Sequence, residues 1–549
     1  MTIASRLMGR LLQLPPAETH DVIVETDLQV PMPDGIVLLA DRYVPRRSGA
    51  GKVPTLLVRS PYGRSGRWGV LFGRLFAERG FQVVVQSCRG TFGSGGDLDP
   101  FGKERDDGLA TVAWLKQQPW FGGALGTVGP SYLGHVQWAI ARDAGPELRA
   151  LVLHITASEF RSHTYPGGSF TLDTALTWAR LMARQEGPPL ARMQDMLPRV
   201  APELRRAFDH LPLGEVDVIA CGKPMPFFRE WLEHSAPGDP YWKHRGYDET
   251  AAEVTAPVSM VGGWYDIFLP WQIKDYVALR AAGRKPQLTI GPWSHGDVPS
   301  MSAAMRESIA WLRAHLLGDR SLLRESPVRV FVMGAGEWRD YPDWPPPAAR
   351  EPRWHLHAAG RLAPDTPAAG SPPDHYRYDP ADPTPSVGGA LLSRGSGMKD
   401  NRALEARRDV LTYTSAVLPR DLDVIGPVRA DLFVRSSLAH TDFFARLCDV
   451  DPAGVSRNVC DHLLRVTPGN PAPEPDGSLR LTFDLWPTAY RFRRGHRLRL
   501  QVSSGAHPRF ARNLGTGEPL ATAKTLVAAE QTVLHDPQHP SAVILSVEG

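Results

Sequence analysis

From about residue 21 to residue 155, short apolar runs alternate with stretches whose apolar positions recur every three or four residues. Residues 55–58, 81–85 and 151–153 are mainly apolar, β-prone runs, and 106–116 has a helical period. Strands separated in this way predict βα units and a mainly parallel sheet. Between about 156 and 255 the alternation stops. That stretch reads as largely helical and carries Tyr165, Phe170, Trp178, Phe227, Phe228 and Trp231, as a cap inserted between two core strands would. The α/β pattern then resumes with a strand at 256–261, an amphipathic segment at 271–279, a strand at 287–290 and a helix burying Met305, Ile309, Leu312 and Leu316. After Pro-rich loops the period becomes two. Val428, Ala430, Leu432 and Val434 alternate with Arg429, Asp431, Phe433 and Arg435, and Leu498, Leu500 and Val502 alternate with Arg497, Arg499 and Gln501. Such segments predict half-buried strands of a β-sandwich. The expected class is therefore α/β, with core segments at 1–155 and 256–350, a helical cap at 156–255, and a β-sandwich at 351–549.

Composition narrows the functional classes. A chain of 549 residues is long enough for three or four domains of ~150 residues. The formal net charge of +3 comes without a basic block, which argues against nucleic acid or a membrane surface as partner. Cys88, Cys221, Cys448 and Cys460 are widely spaced and form no C-x-x-C pair, so neither zinc nor a disulfide framework is expected. The first residues place Arg6 and Arg10 among a few apolar side chains, without a continuous signal-peptide core. No run reaches the ~18 apolar residues of a membrane span. A cytoplasmic enzyme without cofactor or metal is the expectation, with a homodimer left open.

The chemistry concentrates in three loops. Gly129-Pro130-Ser131-Tyr132-Leu133-Gly134 lies between a short β-prone run and a helical pattern in which Leu133, Val136, Ala139 and Ile140 form a stripe. A serine on a sharp strand-to-helix turn projects its hydroxyl out of the sheet, beside a helix N-terminus that favours developing negative charge. The motif departs from strict G-x-S-x-G, because Leu133 stands at the second glycine position and Gly134 follows it. Later, Gly263-Trp264-Tyr265-Asp266 puts a carboxylate just past a strand, and Gly291-Pro292-Trp293-Ser294-His295 does the same for an imidazole. The order Ser131, Asp266, His295 is that of α/β-hydrolases, and residues past the carboxyl ends of parallel strands share one crevice. His154, at the end of another strand, competes as base but precedes any later acid.

Taken together, these segments resemble the cocaine-esterase-like hydrolases, relatives of X-Pro dipeptidyl peptidases and α-amino-acid ester hydrolases. The resemblance extends through Arg59-Ser60-Pro61-Tyr62, Phe331-Val332-Met333-Gly334, Tyr378-Asp379-Pro380 and Arg512-Asn513. It implies an α/β-hydrolase core, a helical cap and a C-terminal jelly roll. It further implies Ser131 as nucleophile, Asp266 as acid, His295 as base, and Tyr62 with the backbone N–H of Tyr132 as oxyanion donors. An acyl pocket between core, cap and jelly roll would take Phe268, Trp178, and Leu391 or Leu392 as lining. Two departures stand out. Ser87 replaces an aspartate expected two residues before Arg89-Gly90, and Ile267 and Phe268 follow Asp266 where amine-binding relatives carry carboxylates. The second departure favours a serine hydrolase acting on a carboxylic ester or an amide. An X-Pro dipeptidyl peptidase using Glu159 or Asp173 as amine anchor, an acyltransferase with the same triad, and a carbohydrate-binding role for the jelly roll are the alternatives.

Overall fold

The computed structural model describes residues 3–46, 53–188, 200–346 and 350–548. Their contacts divide into two compact units, Met1–Arg161 with Gly238–Arg329, and Ser162–Pro237 with Val330–Gly549.

In the first unit, a helix α1 (Ile3–Leu11) precedes β1 (Val22–Pro31), β2 (Val37–Pro45), β3 (Thr55–Ser60) and β4 (Gln82–Ser87). Next come α2 (Glu104–Lys116), β5 (Leu125–Pro130), α3 (Tyr132–Ala141) and β6 (Leu148–His154). After the segment belonging to the second unit follow β7 (Val258–Tyr265), α4 (Leu269–Ala281), β8 (Gln287–Ser294) and α5 (Val298–Leu312). The strands run in the order β1-β2-β4-β3-β5-β6-β7-β8. β1 and β2 are antiparallel, and β2 is antiparallel to β4. From β4 through β8 every pairing is parallel. β3, β4, β5 and β7 are buried along their whole length, as expected of parallel strands covered on both faces.

Several elements exceed their sequence bounds. β7 and β8 continue through their glycines to Tyr265 and Ser294, because Gly263 pairs with Gly291 and Tyr265 with Ser294 across the ladder. The stripe expected on α3 is in fact a helix buried on every side, all ten residues included. Met305, Ile309 and Leu312 are buried on α5 as expected, whereas Leu316 falls in a π-helical turn beyond it and is half-buried.

In the second unit, helices Leu172–Arg184, Pro202–Asp209 and Pro226–Glu233 pack around aromatic side chains; residues 189–199 of the expected cap lie outside the described residues. Trp178 stacks on Trp231 at 5.8 Å, and Phe170 meets Phe228 edge-on at 5.9 Å. These aromatics pack on one another. The grouping of 162–237 with the C-terminal segment differs from the division expected from periodicity, and the bonds explain it. Asp173 accepts the backbone N–H groups of Leu392 and Ser393, its own N–H donates to Pro508, and Ala511 N–H donates to Phe170.

The C-terminal part of that unit is β-rich. Strand Leu422–Ser436 pairs antiparallel with Leu479–Asp484, Thr488–Phe492, Ala529–Leu534 and Ala542–Val547. Val428, Ala430, Leu432 and Val434 face the core as the alternation predicts. The opposite face is not uniformly wet: Asp431 is 1% exposed, because it takes Arg480 and Thr482 at 2.9 and 3.0 Å as well as Arg353. Gln501 is likewise buried, bonded to Glu405 at 2.8 Å.

Candidate active site

Ser131 occupies the single residue between β5 and α3, with φ 55° and ψ −122°. A side-chain-bearing residue rarely adopts a positive φ, and such strain persists only where the surroundings impose it. Here its N–H donates to His154 O at 2.9 Å, while its carbonyl accepts Gly134 N–H, His135 N–H and the Thr156 hydroxyl. The turn is thus pinned from both sides, between the ends of β5 and β6.

The unusual glycine spacing has a steric reason. A Cβ on Gly129 would lie 2.4 Å from Leu133 Cβ, and one on Gly134 would lie 2.3 Å from Thr156 Cγ2. Leu133 therefore packs onto the first glycine, and Gly134 is the position at which α3 passes the end of β6. Behind the turn, the Tyr132 hydroxyl donates to Glu104 Oε1 at 2.5 Å and accepts Phe101 N–H, and Glu104 Oε2 is paired with Arg59 at 2.8 Å. Burial, reinforced by the Glu104 carboxylate, pushes the Tyr132 phenol well above its ordinary range and keeps it protonated. Sequence reading missed this network, since Glu104 carries no local signal beyond its place at the start of α2.

The three loop residues converge. His295 Nε2 is 3.1 Å from Ser131 Oγ, and its Nδ1 is 2.7 Å from Asp266 Oδ2. Asp266 is fully buried, and its other oxygen accepts Phe268 N–H at 2.8 Å. The half-buried Phe268 ring lies 5.7 Å from the His295 ring, so one loop supplies both the carboxylate and an aromatic brace for the imidazole. Asp297 Oδ2 accepts Ser294 N–H at 2.7 Å and shapes the loop that carries His295. His154 is excluded as base. It is 1% exposed and bonded to Ser308 Oγ at 2.8 Å, and burial lowers its pKa to about 3.

Tyr62 sits on the turn after β3, the strand that pairs with β5, and its ring stacks on Trp68 at 5.1 Å. The loop after β4 is held without a carboxylate at position 87. Ser87 Oγ accepts Arg64 at 3.2 Å, and Arg89 is clamped between Asp34 and Asp107 at 2.8 and 2.6 Å. Of the expected pocket residues, Phe268 joins Ser131, Asp266 and His295 in the first unit. Trp178, Leu391 and Leu392 belong to the second, where Trp178 is part of the aromatic cluster and Leu391 is buried.

A family profile for the X-Pro dipeptidyl peptidases (S15 family) matches residues 34–297, and one for their C-terminal non-catalytic domain matches 322–544. With the parallel sheet and the Ser131–His295–Asp266 chain, these matches define a serine hydrolase of the α/β-hydrolase class. The cocaine esterase of Rhodococcus sp. (strain MB1 Bresler) is 32% identical over 95% of this chain and 98% of its own length. The chain belongs to the cocaine-esterase-like (CocE/NonD) hydrolase family. A putative serine esterase of Mycobacterium bovis is 27% identical over 88% of this chain and 90% of its own. Among solved structures, an aminopeptidase from a Thaumarchaeota archaeon of marine sediment superposes with a TM-score of 0.82 at 21% identity, covering 98% of each chain. An α-amino acid ester hydrolase gives 0.80 at 22% identity over 97% of this chain and 98% of its own. At such identities the structures establish the shared fold.

Proposed function

We propose that this enzyme is a carboxylesterase working through an acyl-enzyme on Ser131. The observation that carries the reading is the unbroken chain Ser131 Oγ, His295, Asp266 at 3.1 and 2.7 Å. A serine hydroxyl is a weak nucleophile at neutral pH, so His295 Nε2 takes its proton as Oγ bonds to the ester carbonyl carbon. Asp266 holds Nδ1–H, fixes the tautomer and offsets the charge on the imidazolium. The carbonyl oxygen becomes an alkoxide, which the Tyr132 backbone N–H and the Tyr62 hydroxyl stabilise. Collapse breaks the bond to the alcohol, which leaves with the proton from His295. Water, deprotonated by the same imidazole, then releases the carboxylic acid and regenerates Ser131.

Ester chemistry is supported by the esterases among the relatives and by Ile267 and Phe268, which leave no carboxylate directly after Asp266 to bind an α-ammonium group. The peptidase description of the family profile is the reason to keep a second reading, release of X-Pro dipeptides. Of the two candidate amine anchors, Asp173 is buried with Oδ2 taken by the N–H groups of Leu392 and Ser393, while its Oδ1 has no hydrogen-bond partner among the described residues. The four thiols are free, which suits a reducing cytoplasm. Among the described residues no helix is long and apolar enough to cross a membrane.

The test is paired kinetics of wild type and Ser131→Ala on p-nitrophenyl butyrate, p-nitrophenyl benzoate and a Gly-Pro anilide. Turnover of the esters alone, lost by at least about 10³-fold in the variant, supports the proposal. Cleavage of the anilide in preference to the esters gives the site to the peptidase reading, and ester consumption only with an added amine or alcohol gives it to acyl transfer.

A further inference from the structure

Helix α1 has one face fastened to the first unit. Ser5, 1% exposed, donates its hydroxyl to Glu78 Oε1 at 2.7 Å, and Gly9 lies against Leu75 and Arg79. Just beyond the helix, Leu12 is buried and its carbonyl accepts the Ser302 hydroxyl of α5 at 2.7 Å. Ser5, Gly9 and Leu12 recur at steps of four and three residues, so they fall on one side of the helix. The opposite side is fixed in orientation as a result.

That outward side carries Ile3, Leu7 and Leu11, which are 79%, 61% and 62% exposed. Steps of four residues align them in one stripe. Arg6 and Arg10, also exposed, run along one border of the stripe, and the helix contains no acidic residue. The family profile begins at residue 34, so α1 lies outside the segment matched to the S15 hydrolases. Neither the fold of the core nor the triad requires this stripe. Single exposed apolar residues are ordinary on a protein surface, whereas an aligned, arginine-bordered stripe on an anchored helix marks an interaction surface.

We infer that α1 is an interfacial helix that docks the enzyme on an anionic lipid surface. Ile3, Leu7 and Leu11 enter the boundary between headgroups and acyl chains while Arg6 and Arg10 remain among the anionic headgroups. Charge selects this occupant over a second copy of the chain. Two α1 helices packed stripe to stripe would gather four arginines around one small contact, with no carboxylate from either helix to offset them, whereas an anionic bilayer answers the same charges. A nine-residue helix is far too short to span, so it lies in the plane of the surface. The inference revises the expectation of no membrane partner, which rested on the absence of a long apolar run and of a dense basic block. Three apolar side chains and two charges give reversible, salt-sensitive association.

Co-sedimentation of the full-length enzyme with phosphatidylglycerol–phosphatidylcholine vesicles, and with phosphatidylcholine alone, tests this. Binding is expected to rise with the anionic fraction and to fall with added NaCl. The combined variant Ile3→Ser, Leu7→Ser, Leu11→Ser is expected to lose at least about tenfold in apparent affinity, and Arg6→Gln with Arg10→Gln at least about threefold on anionic vesicles. Both variants should keep wild-type turnover of a soluble ester and wild-type thermal stability, because every altered side chain faces outward. No binding by the wild type, or equal binding by wild type and the serine variant, overturns the inference. So does a dimer in light scattering that the serine substitutions dissociate while vesicle binding stays absent, which would give the face to a second copy.

Discussion

At Ser131, strain and reactivity are tied to one backbone angle. A φ of 55° is the region glycine enters at little cost, and holding a side chain there costs about 1–3 kcal/mol. Ser131→Gly should therefore be inactive yet more stable than Ser131→Ala by about 1 kcal/mol, after the greater unfolded-state entropy of glycine is subtracted. Thermal melts of the two inactive variants should differ by about 2 °C in favour of glycine; equal melts would show that the turn is relaxed. In the proposed mechanism Tyr62 makes the complementary case, as a residue whose contribution arises in the transition state. Tyr62→Phe should lower kcat by roughly 10²–10³ with KM changed less than about threefold, since the donor meets full negative charge only after attack. A rise in KM at constant kcat would make Tyr62 a ground-state binding residue instead. These positions were legible before the structure because each sits at the end of an apolar run with turn-forming neighbours. Glu104 and Thr156 were not. Their partners are 28 and 25 positions away, and no periodicity joins a carboxylate on α2 to the phenol behind the elbow.

At the level of elements, the site is assembled by parallel strands that deliver β5, β7 and β8 ends to one edge, and by helices that fix the loops from behind. Helix α4 does this through Asp275, which accepts both the N–H and the hydroxyl of Ser158, at 2.8 and 2.5 Å, in the chain just past β6. Burial raises the Asp275 pKa to about 7, outweighing the Ser158 bonds that lower it. The folded state therefore holds a proton that the unfolded chain releases near the ordinary aspartate value of 3.8. That contribution is fully present below about pH 4 and is lost as pH rises through about 7. Asp275→Asn removes the titration. Its melting temperature relative to wild type should climb between pH 5 and pH 8, and a difference independent of pH would mean that Asp275 is charged throughout. The helical period located α4 to within two residues at each end, but nothing in it marked Asp275 as buried. The β-sandwich alternation misled in the same way at Asp431 and Gln501, because pattern reports polarity and not the neighbours that cover it.

For the molecule as a whole, the division into two units was only partly legible. The change from helical to two-residue periodicity falls on segments that form the strands Leu422–Ser436 and Arg497–Ser503. The attachment of 162–237 to it rests on backbone bonds to Asp173, Phe170 and Pro508, which leave no trace in local pattern. Cysteine placement gives a global check on compactness. Cys88, Cys448 and Cys460 are buried, and Cys221 is half-buried with its pKa raised to about 12, chiefly by burial. A thiol reagent at neutral pH should label Cys221 slowly and the other three only on unfolding. Rapid native labelling of more than one thiol would show that one of the units opens readily.

The loop from Asp266 to Phe268 joins two duties that many enzymes keep apart. The same short segment aims the imidazole and presents an aromatic surface beside it, with Phe268 N–H holding the acid and its ring resting on the base. A replacement of Phe268 consequently changes the ring that rests beside His295 together with whatever else that half-buried ring meets, so it must either keep a flat, bulky side chain or be matched by another support for the imidazole.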